Sequence, residues 1–143
     1  MPLLKWDEKY SVGIEVIDYQ HEKLFFIANH LYDALLHHTE QTSADEAGYV
    51  ILGEVLVDLV EYISYHFATE ENFMIQHHYP EYEAHIKEHN VLRERTMDLF
   101  EQFGKNNDLP SIAVMMFLKD WLQNHILASD LRYAAHCSTN SSV

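Results

Sequence analysis

At 143 residues the chain suits one domain with a sizeable core, and its formal net charge of −14 argues against nucleic acid or an anionic membrane as partner. A single cysteine, Cys137, leaves no intramolecular disulfide and fits a reducing cytoplasm. No apolar run reaches the roughly 20 residues a bilayer needs, and the opening MPLLKWDEKYSVG meets charge too early for the apolar centre of a secretory signal.

Glycine and proline are scarce while Leu, Ile, Met, Glu and His are abundant, which favours long helices over short strands. The acidic excess reads as solvated helix faces. Residues 1–17 read as an irregular arm, with Trp6, Val12, Ile14, Val16 and Ile17 as apolar contacts. Asp18 can cap a first helix, in which Leu24, Phe25, Ala28, Leu31 and Leu35 recur at helical spacing up to about His38. Thr39 to Ser43 is a polar break, and Ser43 followed by Glu46 has the form of a capping box.

A long second helix runs from there to about Gln76, striped by Leu52, Val55, Leu56, Leu59, Val60, Ile63 and Phe67, with Gly48 and Gly53 weakening its first turns. Tyr79-Pro80 breaks it. Pro80 suits the first turn of a third helix, where Glu81 and Glu83 complement the dipole, and that helix should end at Gly104. Lys105 to Asp108 reads as a turn, after which Leu109-Pro110 opens a fourth helix carrying Val114, Phe117, Leu118, Trp121, Leu122 and His125. From about residue 134 the chain is expected to fray. Helices joined by short links favour an all-α fold, an up-down-up-down antiparallel four-helix bundle formed by a single domain over residues 1–143.

Two pairs of potential metal ligands, His66/Glu70 and His85/His89, are each spaced four apart. On a helix such pairs lie about 40° from one another and share a face. In antiparallel hairpins, residues equidistant from a turn lie at one height. The midpoint of His21 and His66 falls in the first break, that of the two central pairs at His77-His78, and that of His85/His89 with His125/Asp130 beside Asn107. His21, His66, Glu70, His85, His89, His125 and Asp130 therefore share one level. Imidazole and carboxylate without thiolate suit iron, manganese, zinc, copper or nickel. Seven ligands exceed one tetrahedral ion, which points to two metals. Neither E-x-x-H nor H-E-x-x-H occurs, so the ferritin-like di-iron and zinc-protease patterns are absent. His125 and Asp130 are five apart, about 140° on a regular helix, so an irregularity is expected between Leu127 and Asp130.

The arm with Trp6, the I-D-x-Q-H run ending at His21, H-F-x-x-E at His66–Glu70, H-x-x-x-H at His85–His89 and W-L-x-x-H-I-x-x-x-D at Trp121–Asp130 span nearly the whole chain. Together they resemble the hemerythrin family in its single-domain bacterial form, whose bundle is that of myohemerythrin. The resemblance implies a non-haem di-iron centre, oxo- or hydroxo-bridged. His85, His89 and His125 would hold one iron, His21 and His66 the other, with Glu70 and Asp130 bridging. It also implies an apolar pocket over an open iron position, matched here by Phe67, Trp121, Leu122 and Ile126. Tyr133 falls where the family often has a tyrosine.

This ligand set favours reversible binding of dioxygen, for storage, buffering or delivery to an O₂-consuming enzyme, by a monomer or weak homo-oligomer in the cytoplasm. The apolar wall offers no acid to cleave the O–O bond. An enzymatic alternative, peroxidase or nitric oxide reduction, would look to Tyr19, Gln20 or Tyr65 for protons. A sensing module would need an output that the sequence does not display. His30, His37, His38 and His136 read as solvated, His77-His78 as a turn, and Cys137 as a bystander.

Overall fold

The first long helix starts where the backbone is forced to turn. Gly13 has φ of +81°, a left-handed value that costs glycine little, and the chain enters α1, Glu15–Glu40, directly afterwards. Asp18 is thus inside the first turn rather than at the cap, because its own N–H already bonds the Ile14 carbonyl at 2.9 Å. Its carboxylate instead accepts from the Val12 N–H at 2.8 Å and from the Ser11 hydroxyl, tying the arm to the helix.

The computed structural model describes residues 2–40, 46–106 and 111–140. α2 spans Glu46–Gln76 and α3 Tyr82–Asn106. The fourth rod is continuous but composite: α4, Ile112–Asn124, passes into a π-helical segment, His125–Asp130, and then α5, Leu131–Asn140. No strand occurs among the described residues, and the expected four-helix bundle is what the chain forms. The capping box at Ser43 and the opening at Leu109-Pro110 lie outside the described residues; α4 is capped by Ser111, whose hydroxyl accepts from the Val114 N–H at 3.2 Å.

The break at Tyr79-Pro80 has a Schellman geometry. The Tyr79 N–H reaches the Met74 carbonyl at 2.9 Å, the His78 N–H reaches Ile75 at 3.2 Å, and His78 takes the left-handed φ of 52°. Pro80 sits in the turn itself, two residues before α3 begins at Tyr82, rather than in its first turn. α3 also runs past Gly104, since glycine weakens a helix without compelling it to stop.

The core follows the expected stripes. Leu24, Phe25, Ala28, Leu31 and Leu35 of α1 are buried against Leu52, Val55, Leu56, Leu59, Ile63 and Phe67 of α2, with Leu118 and Leu122 of α4 closing the bundle. The arm is more ordered than expected from its sequence. It carries a 3₁₀ turn at Glu8–Tyr10, Leu4 exchanges two hydrogen bonds of 2.7 Å with the Asn29 amide, and Tyr10 and Trp6 pack their rings against Phe25. Val16 is the exception, pointing out to solvent. The expected fraying beyond Tyr133 does not occur through residue 140. Tyr133, Ala134 and Cys137 recur three and four apart on one face of α5, and their burial holds the helix.

Candidate metal centre

Each rod brings its ligand to the middle of the bundle. α1 presents His21, α2 His66 and Glu70, α3 His85 and His89, and the fourth rod His125 and Asp130, all of them buried. The π segment answers the spacing problem. The Leu131 N–H bonds back to the Ile126 carbonyl, five residues earlier, so the helix is locally widened. That widening turns Asp130 back onto the face of His125, and their Nε2 and Oδ1 atoms lie 3.0 Å apart. The irregularity expected from Leu127 thus begins two residues earlier, at His125 itself.

The ligand atoms fall into two groups that share carboxylates. Those of Glu70, His85, His89, His125 and Asp130 lie within 4.8 Å of one another, as do those of His21, His66 and Glu70. Asp130 meets His85 and His125 through Oδ1, at 3.1 and 3.0 Å, and His21 through Oδ2 at 3.1 Å. Glu70 meets both His66 and His89 through Oε1 at 3.2 Å, while its Oε2 lies 3.6 Å from His21 and accepts the Tyr133 hydroxyl at 2.8 Å. Each carboxylate therefore touches imidazoles of both groups.

All five imidazoles turn Nε2 inward. Outer partners fix that orientation. His66 donates from Nδ1 to Gln20 Oε1 at 2.7 Å, and His89 from Nδ1 to Glu71 Oε2 at 2.8 Å. An amide oxygen and a carboxylate only accept, so they assign the proton to Nδ1 and leave Nε2 to face the centre. Glu88 lies 3.5 Å from His125 Nδ1 and accepts the Ser129 hydroxyl at 2.7 and 2.8 Å. Phe67 stacks on His89 with centroids 3.7 Å apart, and Trp121 on His125 at 4.4 Å.

The donor set leaves buried polar atoms without hydrogen-bond partners, and a bound cation would satisfy them. His21 Nε2, His85 Nε2, Glu70 Oε1 and both oxygens of Asp130 are buried without a hydrogen bond, although oppositely charged or polar atoms crowd around them. Each unsatisfied group costs about 1–3 kcal/mol. The electrostatics show the same need. Burial alone would lower His21 and His125, but Asp130 and the neighbouring carboxylates push them up to about 9 and about 10. Burial would raise Glu70 and Asp130, yet the surrounding imidazoles hold both carboxyls below their ordinary range. His66 goes the other way: burial lowers it despite Glu70. Positive charge is required at the centre, and carboxylate with imidazole is a donor set for a borderline divalent metal.

The Hemerythrin HHE cation binding domain model matches residues 12–137 of this sequence. The chain belongs to the hemerythrin family. Bacteriohemerythrin of Stenotrophomonas maltophilia is 37% identical over 134 residues, covering 94% of this chain and 81% of that one. Bacteriohemerythrin of Pseudomonas aeruginosa is 33% identical over 133 residues, covering 93% and 80%. A crystal structure of wild-type hemerythrin superimposes with a TM-score of 0.80 at 27% identity, covering 95% of this chain and 98% of that one. Membership of the hemerythrin family and the His/Glu/Asp cluster together point to a non-haem iron site.

The structure brings all seven expected ligand residues into one buried cluster. Of the expected pocket residues, Phe67 and the half-buried Trp121 pack against ligand imidazoles, while Leu122 and Ile126 are buried in the same apolar core. Of the proton donors considered for an enzyme, Tyr19 and Tyr65 are exposed, while Gln20 is buried and engaged by His66. His30 and His37 are exposed as expected, and the side chain of His38 lies outside the described residues. His136 is a correction: it is half-buried, with Nε2 3.2 Å from the His77 carbonyl, because α5 continues across the turn. Cys137 is buried too, against Tyr79, Tyr133 and Met74. Glu71 and Glu88 were not recognised from the sequence. Each sits one position from a ligand, Glu70 or His89, and pairs with a histidine on another rod, a relation no single-helix pattern encodes.

Proposed function

We propose that this protein binds dioxygen reversibly at a di-iron centre held by His21, His66, Glu70, His85, His89, His125 and Asp130. The observation that carries this reading is the position of Glu70 and Asp130, each facing imidazoles of both groups, as two carboxylates shared between two ions would. His85, His89 and His125 would hold one iron, and His21 and His66 the other. A pair of ferrous ions supplies, when bound, the two electrons on which reversible dioxygen binding depends.

The chain's own residues then define the conditions. Glu70 and Asp130 are held anionic and offset ferrous charge. Gln20 and Glu71 keep the His66 and His89 lone pairs aimed inward. Tyr133 donates to Glu70 and fixes one face of its carboxylate; burial and then Glu70 push its phenol well above its ordinary range, so its proton stays put. Phe67, Leu122 and Ile126 exclude water and offer no proton, which opposes both O–O cleavage and loss of the ferrous state. Such a carrier would hand dioxygen to a consuming enzyme in the cytoplasm.

The test is spectroscopic. Iron-loaded, reduced protein exposed to dioxygen should gain a visible charge-transfer band that vanishes when dioxygen is removed and returns on re-exposure. Rapid one-way oxidation with catalytic consumption of hydrogen peroxide would instead support the peroxidase reading.

A further inference from the structure

The partners behind the histidines differ in charge from one side of the centre to the other. His66 of the two-histidine group rests on a neutral amide, Gln20, which in turn donates to Thr69 at 3.4 Å. In the three-histidine group, His89 donates to the carboxylate of Glu71 at 2.8 Å, and His125 faces that of Glu88 at 3.5 Å. Glu71 is half-buried and further held by Arg93, which donates to the same Oε2 at 2.8 Å and lies over the Phe67 ring at 5.1 Å. His89 is therefore clamped between the Phe67 face, the inward cluster and a charged outer acceptor.

An imidazole whose N–H donates to a carboxylate is a more basic ligand at its other nitrogen than one donating to an amide. We propose that Glu71 is a positioning residue that, acting through His89, makes the three-histidine side the tighter and more electron-rich half of the centre, with Arg93 setting how much of its charge His89 receives. Gln20 leaves the two-histidine side the weaker half. The metal ions so distinguished are those of the function proposed above, on which this inference rests.

Anaerobic titration of the metal-free protein with ferrous iron against a competing chelator, at fixed pH, tests it. Wild type should take up two ions with unequal affinities. E71Q keeps an acceptor for His89 but removes the charge, and should weaken one of the two by about 10- to 100-fold while leaving the other unchanged; E71D, which keeps the charge, should restore part of the loss. R93Q separates this role from a structural one. It frees Glu71 from its competing partner, so affinity should hold or rise, whereas damage to packing would weaken binding as E71Q does. Wild type binding two ions with E71Q unaffected, or E71Q and R93Q weakened alike, overturns the role of Glu71. Wild type binding fewer than two ions overturns the di-iron centre instead, and the two failures are thereby distinct.

Discussion

His125 joins three demands in one side chain. It faces Asp130 at 3.0 Å, approaches His89 Nε2 at 3.1 Å, and supports the Trp121 ring. In His125→Ala, bound iron should fall well below wild type, since losing a ligand outweighs the roughly 10–100-fold affinity cost of losing an outer partner. Metal analysis of the purified variant checks this, and full wild-type stoichiometry would contradict the assignment. His78 makes the opposite kind of case. Its φ of 52° closes the α2 cap, a conformation for which a β-carbon is a liability. His78→Gly should raise stability by up to about 1 kcal/mol, part of the gain being returned through a more flexible unfolded chain. Urea unfolding reads it directly; a loss of stability would mean that the imidazole contributes more than the backbone costs.

Elements matter here through how they are joined to the bundle. The arm holds no ligand, yet it adds Leu3, Leu4, Tyr10 and Val12 to the buried core, and Gln123 of α4 donates to the Tyr10 hydroxyl at 3.0 Å. Asp18 is the clamp between arm and α1. Asp18→Ala removes both of its bonds to residues 11 and 12, and should cost about 1–3 kcal/mol. Hydrogen exchange at the Val12 amide should accelerate in that variant, and unchanged protection would show that the arm is held by its rings alone. The π segment is the other decisive join. Its extra residue per turn lets His125 and Asp130 share a face while α5 keeps Tyr133 pointed at Glu70.

For the whole molecule, the cluster couples metal, protons and stability. In the metal-free protein His21 and His125 have pKa values raised to about 9 and about 10, above the ordinary 6.5. Their contribution to stability is therefore complete below pH 6.5 and is lost as pH rises through about 9 to 10. Glu70 and Asp130 have the reverse sign, being lowered, and their contribution is lost on acidification through and below the ordinary carboxyl range. Thermal melts of chelator-treated protein should fall between pH 7 and pH 10, and iron-loaded protein should show a flatter profile because the ions replace the protons. A metal-free melting temperature independent of pH over that range would contradict this balance of charge. Chelation itself should destabilise, by about 2.7 kcal/mol for ions previously present at 100-fold over Kd.

Much of this centre is legible before folding, and the reason is geometric. Constant helical rise converts sequence distance from a turn into height, so His21, the two central pairs, His125 and Asp130 had to meet at one level once the breaks were recognised. The mismatch between a five-residue spacing and a 3.6-residue turn likewise demanded an irregular helix before Asp130. Rotation of each rod about its axis is a different matter. It is set by packing of whole faces, and it alone decides that Asp130 spans His85, His125 and His21, that Glu71 of α2 reaches His89 of α3, and that Gln20 rather than a carboxylate stands behind His66. The arm and the continuation of α5 follow the same rule: their local signals, the Asp7 cap and the face of Tyr133, Ala134 and Cys137, are too short to hold alone, and the surfaces offered by α1, α2 and α4 give them a place.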